Sequence, residues 1–170
     1  MTNGRWFSRH AIAALTLLAA SLFAAPAVAG TTVSFSTRYE PGTIVIRTNE
    51  RRLYYVLDDR RAVRYTVGVG KAGMQWSGRS RITGKYIKPD FVMPDDLRRR
   101  NTPAVIPAGS PKNPLGAAAL TLHDDYAIHG TNNPGSIGRF VSHGCIRMHN
   151  RDVMDLFRRV SVGTPVVVTR

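Results

Sequence analysis

The sequence reads as one β-rich domain over residues 41–170, reached through an export leader and a short spacer. Three observations carry that reading. Thr43-Ile44-Val45-Ile46-Arg47-Thr48 is a β-branched run, and Pro165 to Thr169 closes the chain with Val166, Val167 and Val168 in succession. Arg52 to Leu57 and Arg61 to Val69 flank Asp58-Asp59-Arg60, the arrangement of a hairpin. Only one stretch has a helical rhythm, Val153, Met154, Phe157 and Val160, with Asn150 as its cap and Gly163 as its stop.

Taken in order, the chain begins with a basic patch of Arg5, Arg9 and His10. An apolar core from Ala11 to Phe23 follows, then the small-residue exit Ala27-Val28-Ala29. This is the grammar of a signal peptide over residues 1–29, which implies export to the periplasm or cell envelope. An uncleaved membrane anchor is the alternative, and Pro26 with the small-residue exit argues against it. No integral membrane segment is expected once the leader is removed. The leader takes two basic residues and no acid with it, so the net charge falls from +13 to +11. Residues 30–40 read as a spacer. Beyond the hairpin, Gly68, Gly70 and Gly73 break the strand pattern, and Trp76 to Ile106, punctuated by Pro89, Pro94 and Pro103, reads as loops with short strand pieces. Ala117 to Leu122 and Tyr126 to His129 read as short strands, although the alanine run alone fits a helix equally well.

An apolar share of 43% and a charged share of 21% exclude a disordered chain and a multi-span membrane protein. The basic balance suits a polyanionic partner, and for an exported chain that means wall or membrane surface. No nucleic-acid motif accompanies it, and Arg98-Arg99-Arg100 reads as a solvated face or the rim of a substrate cleft. Cys145 has no second cysteine to pair with, so it is an inert buried thiol, an intermolecular link or a nucleophile.

Its neighbours bear on that choice. His129-Gly130 is followed, after a loop containing Gly135 and Gly138, by Ser142-His143-Gly144-Cys145-Ile146-Arg147. A thiol near its free pKa is mostly protonated at neutral pH, so a working nucleophile needs a base or a cation beside it, and an imidazole is expected to hold the sulfur ionised. In extended chain His143, Cys145 and Arg147 share one face, while His129 returns through the glycine-rich loop. Gly144 leaves room for backbone N–H groups aimed at a developing oxyanion. Arg147 suits a carboxylate and favours a thiolate. A zinc site built from His123, His129, His143, Cys145 and His149 is the sharper alternative, but the paired spacings of common zinc sites are missing.

At these residues the chain resembles the L,D-transpeptidase family. The signature is a His-Gly followed, after a variable loop, by Ser/Thr-His-Gly-Cys, an apolar residue and Arg or Asn; here Cys145 stands 16 positions after His129. Gly68-Val69-Gly70-Lys71, Asn113-Pro114-Leu115-Gly116, the helix and the valine strand extend the similarity, which covers nearly all of residues 41–169. The resemblance implies a mainly β fold, a curved sheet or sandwich with one or two short helices. It implies no cofactor or metal, and a thioester formed by Cys145 on peptidoglycan tetrapeptide stems. In that scheme His129 is the base, oriented by the Gly130 carbonyl, and His143 supports it. Gly144 and Cys145 amides hold the oxyanion, while Ser142 and Arg147 position substrate. The acceptor would be a second stem peptide, an envelope lipoprotein or, for a carboxypeptidase, water, and carbapenem-type inhibitors would acylate the thiol. A catalytically silent wall-binding module is the rival from another class.

Overall fold

A computed structural model describes residues 1, 29–94, 98 and 103–170. Residues 2–28 of the leader, and Arg99 and Arg100 of the arginine run, lie outside the described residues. Among the described residues the chain forms fourteen short strands and one α-helix. In chain order the strands are β1 (Thr31–Ser34), β2 (Ile44–Arg47), β3 (Arg52–Val56), β4 (Arg61–Thr66), β5 (Val69–Gly70), β6 (Gly78–Arg81) and β7 (Gly84–Ile87). There follow β8 (Phe91–Val92), β9 (Val105–Ile106), β10 (Ala118–Thr121), β11 (Ala127–His129), β12 (Phe140–Ser142), β13 (Ile146–Arg147), helix α1 (Asn150–Arg159) and β14 (Pro165–Thr169).

Two sheets share one core. The larger has the order β1-β4-β3-β2-β14-β6, and the smaller β13-β11-β10-β7. Period-two alternation decides what each strand buries. Ile44, Ile46, Leu53, Val63, Tyr65, Val166 and Val168 turn inward and meet Ala118, Leu120, Ile128 and Ile146 of the smaller sheet. The intervening Val45, Tyr54, Val56 and Ala62 form a second, smaller cluster on the outer face, covered by Phe35. The fold is thus mainly β with a single α-helix among the described residues, as the sequence predicts. The hairpin forms as expected, with Tyr54 opposite Arg64 and Leu53 opposite Tyr65. The valine strand lies parallel to β2, Val167 opposite Val45.

Three expectations differ in detail. The stretch read as a spacer carries β1, an edge strand paired antiparallel to β4, and Phe35, whose ring stacks on Tyr54 at 4.4 Å. Its Thr/Ser-rich composition hid it, because an edge strand with one wet face needs few apolar residues. In the Trp76 to Ile106 region, β6 pairs with β14 and β7 with β10, so this stretch closes an edge of both sheets. Asn150 is not the helix cap: it is the first helical residue, His149 holds the cap position, and no side chain caps the helix. Leu156, outside the rhythm read from the sequence, is fully buried beside Val153. The helix is anchored to the larger sheet by the Tyr65 hydroxyl, which donates to Asp155 Oδ2 at 2.6 Å, while Arg159 bonds the same carboxylate.

Candidate active site

Parallel pairing of β11 with β13 sets Ile128 opposite Ile146 and His129 opposite Arg147. Opposed residues of a ladder share a face, as do residues two apart on a strand. Cys145 stands one residue ahead of β13, and the backbone of Ala127, two residues before His129 on the neighbouring strand, lies near enough to its thiol to favour the charged form. Arg147 acts electrostatically on both His129 and Cys145, which puts the three groups in one neighbourhood. On its other side β13 is held by Gly68, whose N–H donates to the Arg147 carbonyl and whose carbonyl accepts from the Arg147 N–H, both at 2.8 Å.

His129 is buried, and its Nδ1 lies 2.7 Å from the Gly130 carbonyl. A carbonyl can only accept, so Nδ1 carries the proton and Nε2 remains the basic nitrogen. Burial drives this imidazole down to about 4; the Gly130 and Pro114 carbonyls oppose the fall, and the Arg147 charge adds to it. Burial also pushes the Cys145 thiol above its ordinary value, with the Ala127 backbone and the Arg147 charge pulling the other way and Asp125 adding to the rise. The sequence reading expects a sulfur held ionised by an imidazole. Burial instead favours a neutral thiol and a neutral imidazole, because both charged forms lose hydration.

The turn that carries the thiol is held at several points. Ser142 is buried; its hydroxyl donates to the Cys145 carbonyl at 2.6 Å and accepts the Gly144 N–H at 3.1 Å. The sequence reading puts Ser142 at the substrate and the Gly144 N–H at an oxyanion, but here both are spent on the turn itself. Gly144 has φ +124°, and a Cβ on it would run into the Tyr126 ring. That ring stacks on Trp76 with centroids 5.0 Å apart and planes within 4°, and the Trp76 indole N–H donates to the Gly144 carbonyl at 3.0 Å. Behind His129, Asn150 Oδ1 accepts the N–H groups of Ala117 and Thr131, each at 3.0 Å. Gly130 must lack a side chain there, since a Cβ would meet that amide oxygen.

His143 is exposed, and its Nε2 lies 3.2 Å from Lys71 Nζ at the rim of the site. His123 sits in the loop before β11, its N–H 3.3 Å from Ser80 Oγ, and His149 occupies the cap of α1. These histidines are dispersed, and among the described residues no three His, Cys, Asp or Glu side chains converge as metal ligands. Sequence reasoning missed Trp76, Tyr126, Lys71 and the true task of Asn150. A tryptophan inside a polar, glycine-rich stretch was the one available signal, because so large an apolar surface rarely stays unpacked.

Comparison with known proteins shows the family and the fold. Residues 41–168 match the family described as YkuD, the L,D-transpeptidase catalytic domain. The chain is 42% identical over 130 residues to a putative L,D-transpeptidase, YqjB, of Bacillus subtilis, covering 72% of this chain and 67% of that protein. It is 39% identical over 135 residues to a probable L,D-transpeptidase, ErfK/SrfK, of Escherichia coli, covering 74% of this chain and 43% of the relative, so it spans less than half of that protein. Among solved structures it is similar in fold to L,D-transpeptidase 3 from Mycobacterium tuberculosis in complex with a faropenem-derived adduct. The TM-score is 0.60 at 16% identity, covering 84% of this chain and 69% of that one.

Proposed function

This chain belongs to the L,D-transpeptidase family, and from that membership we propose that it is an exported cysteine acyltransferase acting on peptidoglycan tetrapeptide stems. The observation that supports this most is the β11–β13 register, which brings His129 and Arg147 side by side next to the turn of Cys145. A leader over residues 1–29 would deliver it to the envelope, where no helix of the described residues is long and apolar enough to cross a membrane.

Cys145 Sγ attacks the carbonyl between the third stem residue and the terminal D-residue. His129 Nε2 takes the thiol proton as the S–C bond forms, since the resting pair is neutral. The carbonyl oxygen becomes an oxyanion, for which the Cys145 amide is the assigned donor; such a donor is worth roughly 3–4 kcal/mol. Arg147 stabilises the sulfur's negative charge and offers a partner for a stem carboxylate. Collapse expels the D-residue, whose amine nitrogen receives the proton from His129, and leaves a thioester. An acceptor amine, from a second stem or an envelope protein, then gives its proton to His129, attacks the thioester and releases the thiol. His143 and Lys71 stand at the rim, where they would meet substrate rather than move the thiol's proton.

Intact-protein mass spectrometry after mixing with faropenem and a carbapenem tests the nucleophile. The expected result is one adduct per chain, absent from Cys145→Ala. An equal adduct on that variant would remove the assignment.

A further inference from the structure

The outer face of the six-stranded sheet, away from the smaller sheet that carries His129 and Arg147, is lined with arginine. The ladder puts Arg64 on the rung of Tyr54 and Val45, and Arg79 on the continuing rung of Val167. Arg81 lies beside Pro165 on that face, and Arg47 stands directly opposite Arg52. Like charges opposed in a ladder destabilise it. Glu50, paired with Arg47 at 3.0 Å, relieves one such contact. Arg64, Arg79 and Arg81 are exposed and form no ion pair among the described residues. No lysine occurs in any strand of this sheet, so every cation on it is a planar fork that matches phosphate oxygens two at a time. At the β6 edge a cavity of about 200 Å³ opens between Arg79, Arg81, His123 and Pro165.

We propose that this face is a docking surface for anionic phospholipid. Three strands separate Arg64 from Arg79, about 19 Å at the usual strand spacing, while Arg52 and Arg81 lie on the rungs either side. A two-dimensional array of this kind matches a plane of headgroups, whereas a single polymer thread would meet only one row of it. Docking through this face leaves the opposite sheet, with the Cys145 turn, directed away from the bilayer.

The protein as cells produce it is sedimented with phosphatidylcholine vesicles, with and without phosphatidylglycerol. Binding is expected only with the anionic lipid and is expected to weaken as salt rises. At roughly fivefold per arginine, Arg64→Gln/Arg79→Gln/Arg81→Gln weakens it on the order of a hundredfold. A second variant, Lys88→Gln/Lys112→Gln/Arg139→Gln, removes the same charge from exposed sites outside this sheet and is expected to lose far less. Undiminished acylation of Cys145 in both shows that they fold. Equal losses in the two variants, binding indifferent to the arginines, or tighter capture by soluble polyphosphate than by vesicles would each overturn the proposal.

Discussion

Acidification from pH 7 to pH 4 is expected to destabilise this protein through His129 by about 3 kcal/mol. The imidazole is buried and titrates near 4 in the folded chain, against 6.5 when unfolded. Between those values the unfolded chain binds a proton that the folded chain refuses, so stability falls as pH falls. The contribution is fully present above 6.5 and is lost progressively down to about 4, at 1.36 kcal/mol per pH unit. Asp155 and Glu50 lose their contributions at more acid pH, since hydrogen bonds and cations hold both carboxylates below their ordinary values of 3.8 and 4.5 against the opposing effect of burial. The difference between wild type and His129→Gln isolates the imidazole. Urea unfolding midpoints of both proteins, taken from pH 7 to pH 4, supply the measurement. Parallel pH profiles for the two would refute the claim that this ring is buried and neutral.

Trp76→Phe keeps a ring against Tyr126 but deletes the hydrogen bond to the Gly144 carbonyl. The expected stability loss is about 1 kcal/mol, with a larger proportional fall in the acylation rate than in inhibitor affinity, read by stopped-flow. Asn150→Ala leaves the Ala117 and Thr131 amides without their acceptor and is expected to cost about 1–2 kcal/mol, while Asn150→Asp recovers most of it in thermal melts. Arg147→Gln removes a charge that favours thiolate, so iodoacetamide alkylation of Cys145 at mildly alkaline pH is expected to slow and its pH midpoint to move upward.

The arginine face was visible in the sequence only as net charge. Its residues are scattered between Arg47 and Arg81, and they assemble because two hairpin strands and the closing valine strand stack in one register. Trp76 and Gly144 are likewise far apart in the chain, and nothing in either neighbourhood names the other. Asn150 looked like a helix cap because Asn before an apolar rhythm is the ordinary cap signal. Its side chain was claimed instead by two strand-end amides that lack ladder partners, which local sequence does not disclose.

By itself the sequence determined the strand-rich class, the hairpin at Asp58-Asp59-Arg60, the valine strand and the helix, and it singled out Cys145, His129 and Arg147 as the candidates for chemistry. Those follow from local rules: side-chain period, turn residues and the scarcity of thiols and imidazoles in one short segment. Only the tertiary structure decided the burial that opposes charge on His129 and Cys145, the engagement of Ser142 and Gly144 within the turn, and the exposed pairing of His143 with Lys71. Each of these depends on which groups lose water and which hydrogen-bond partners arrive from remote strands, and burial of that kind is a property of the packed sheets.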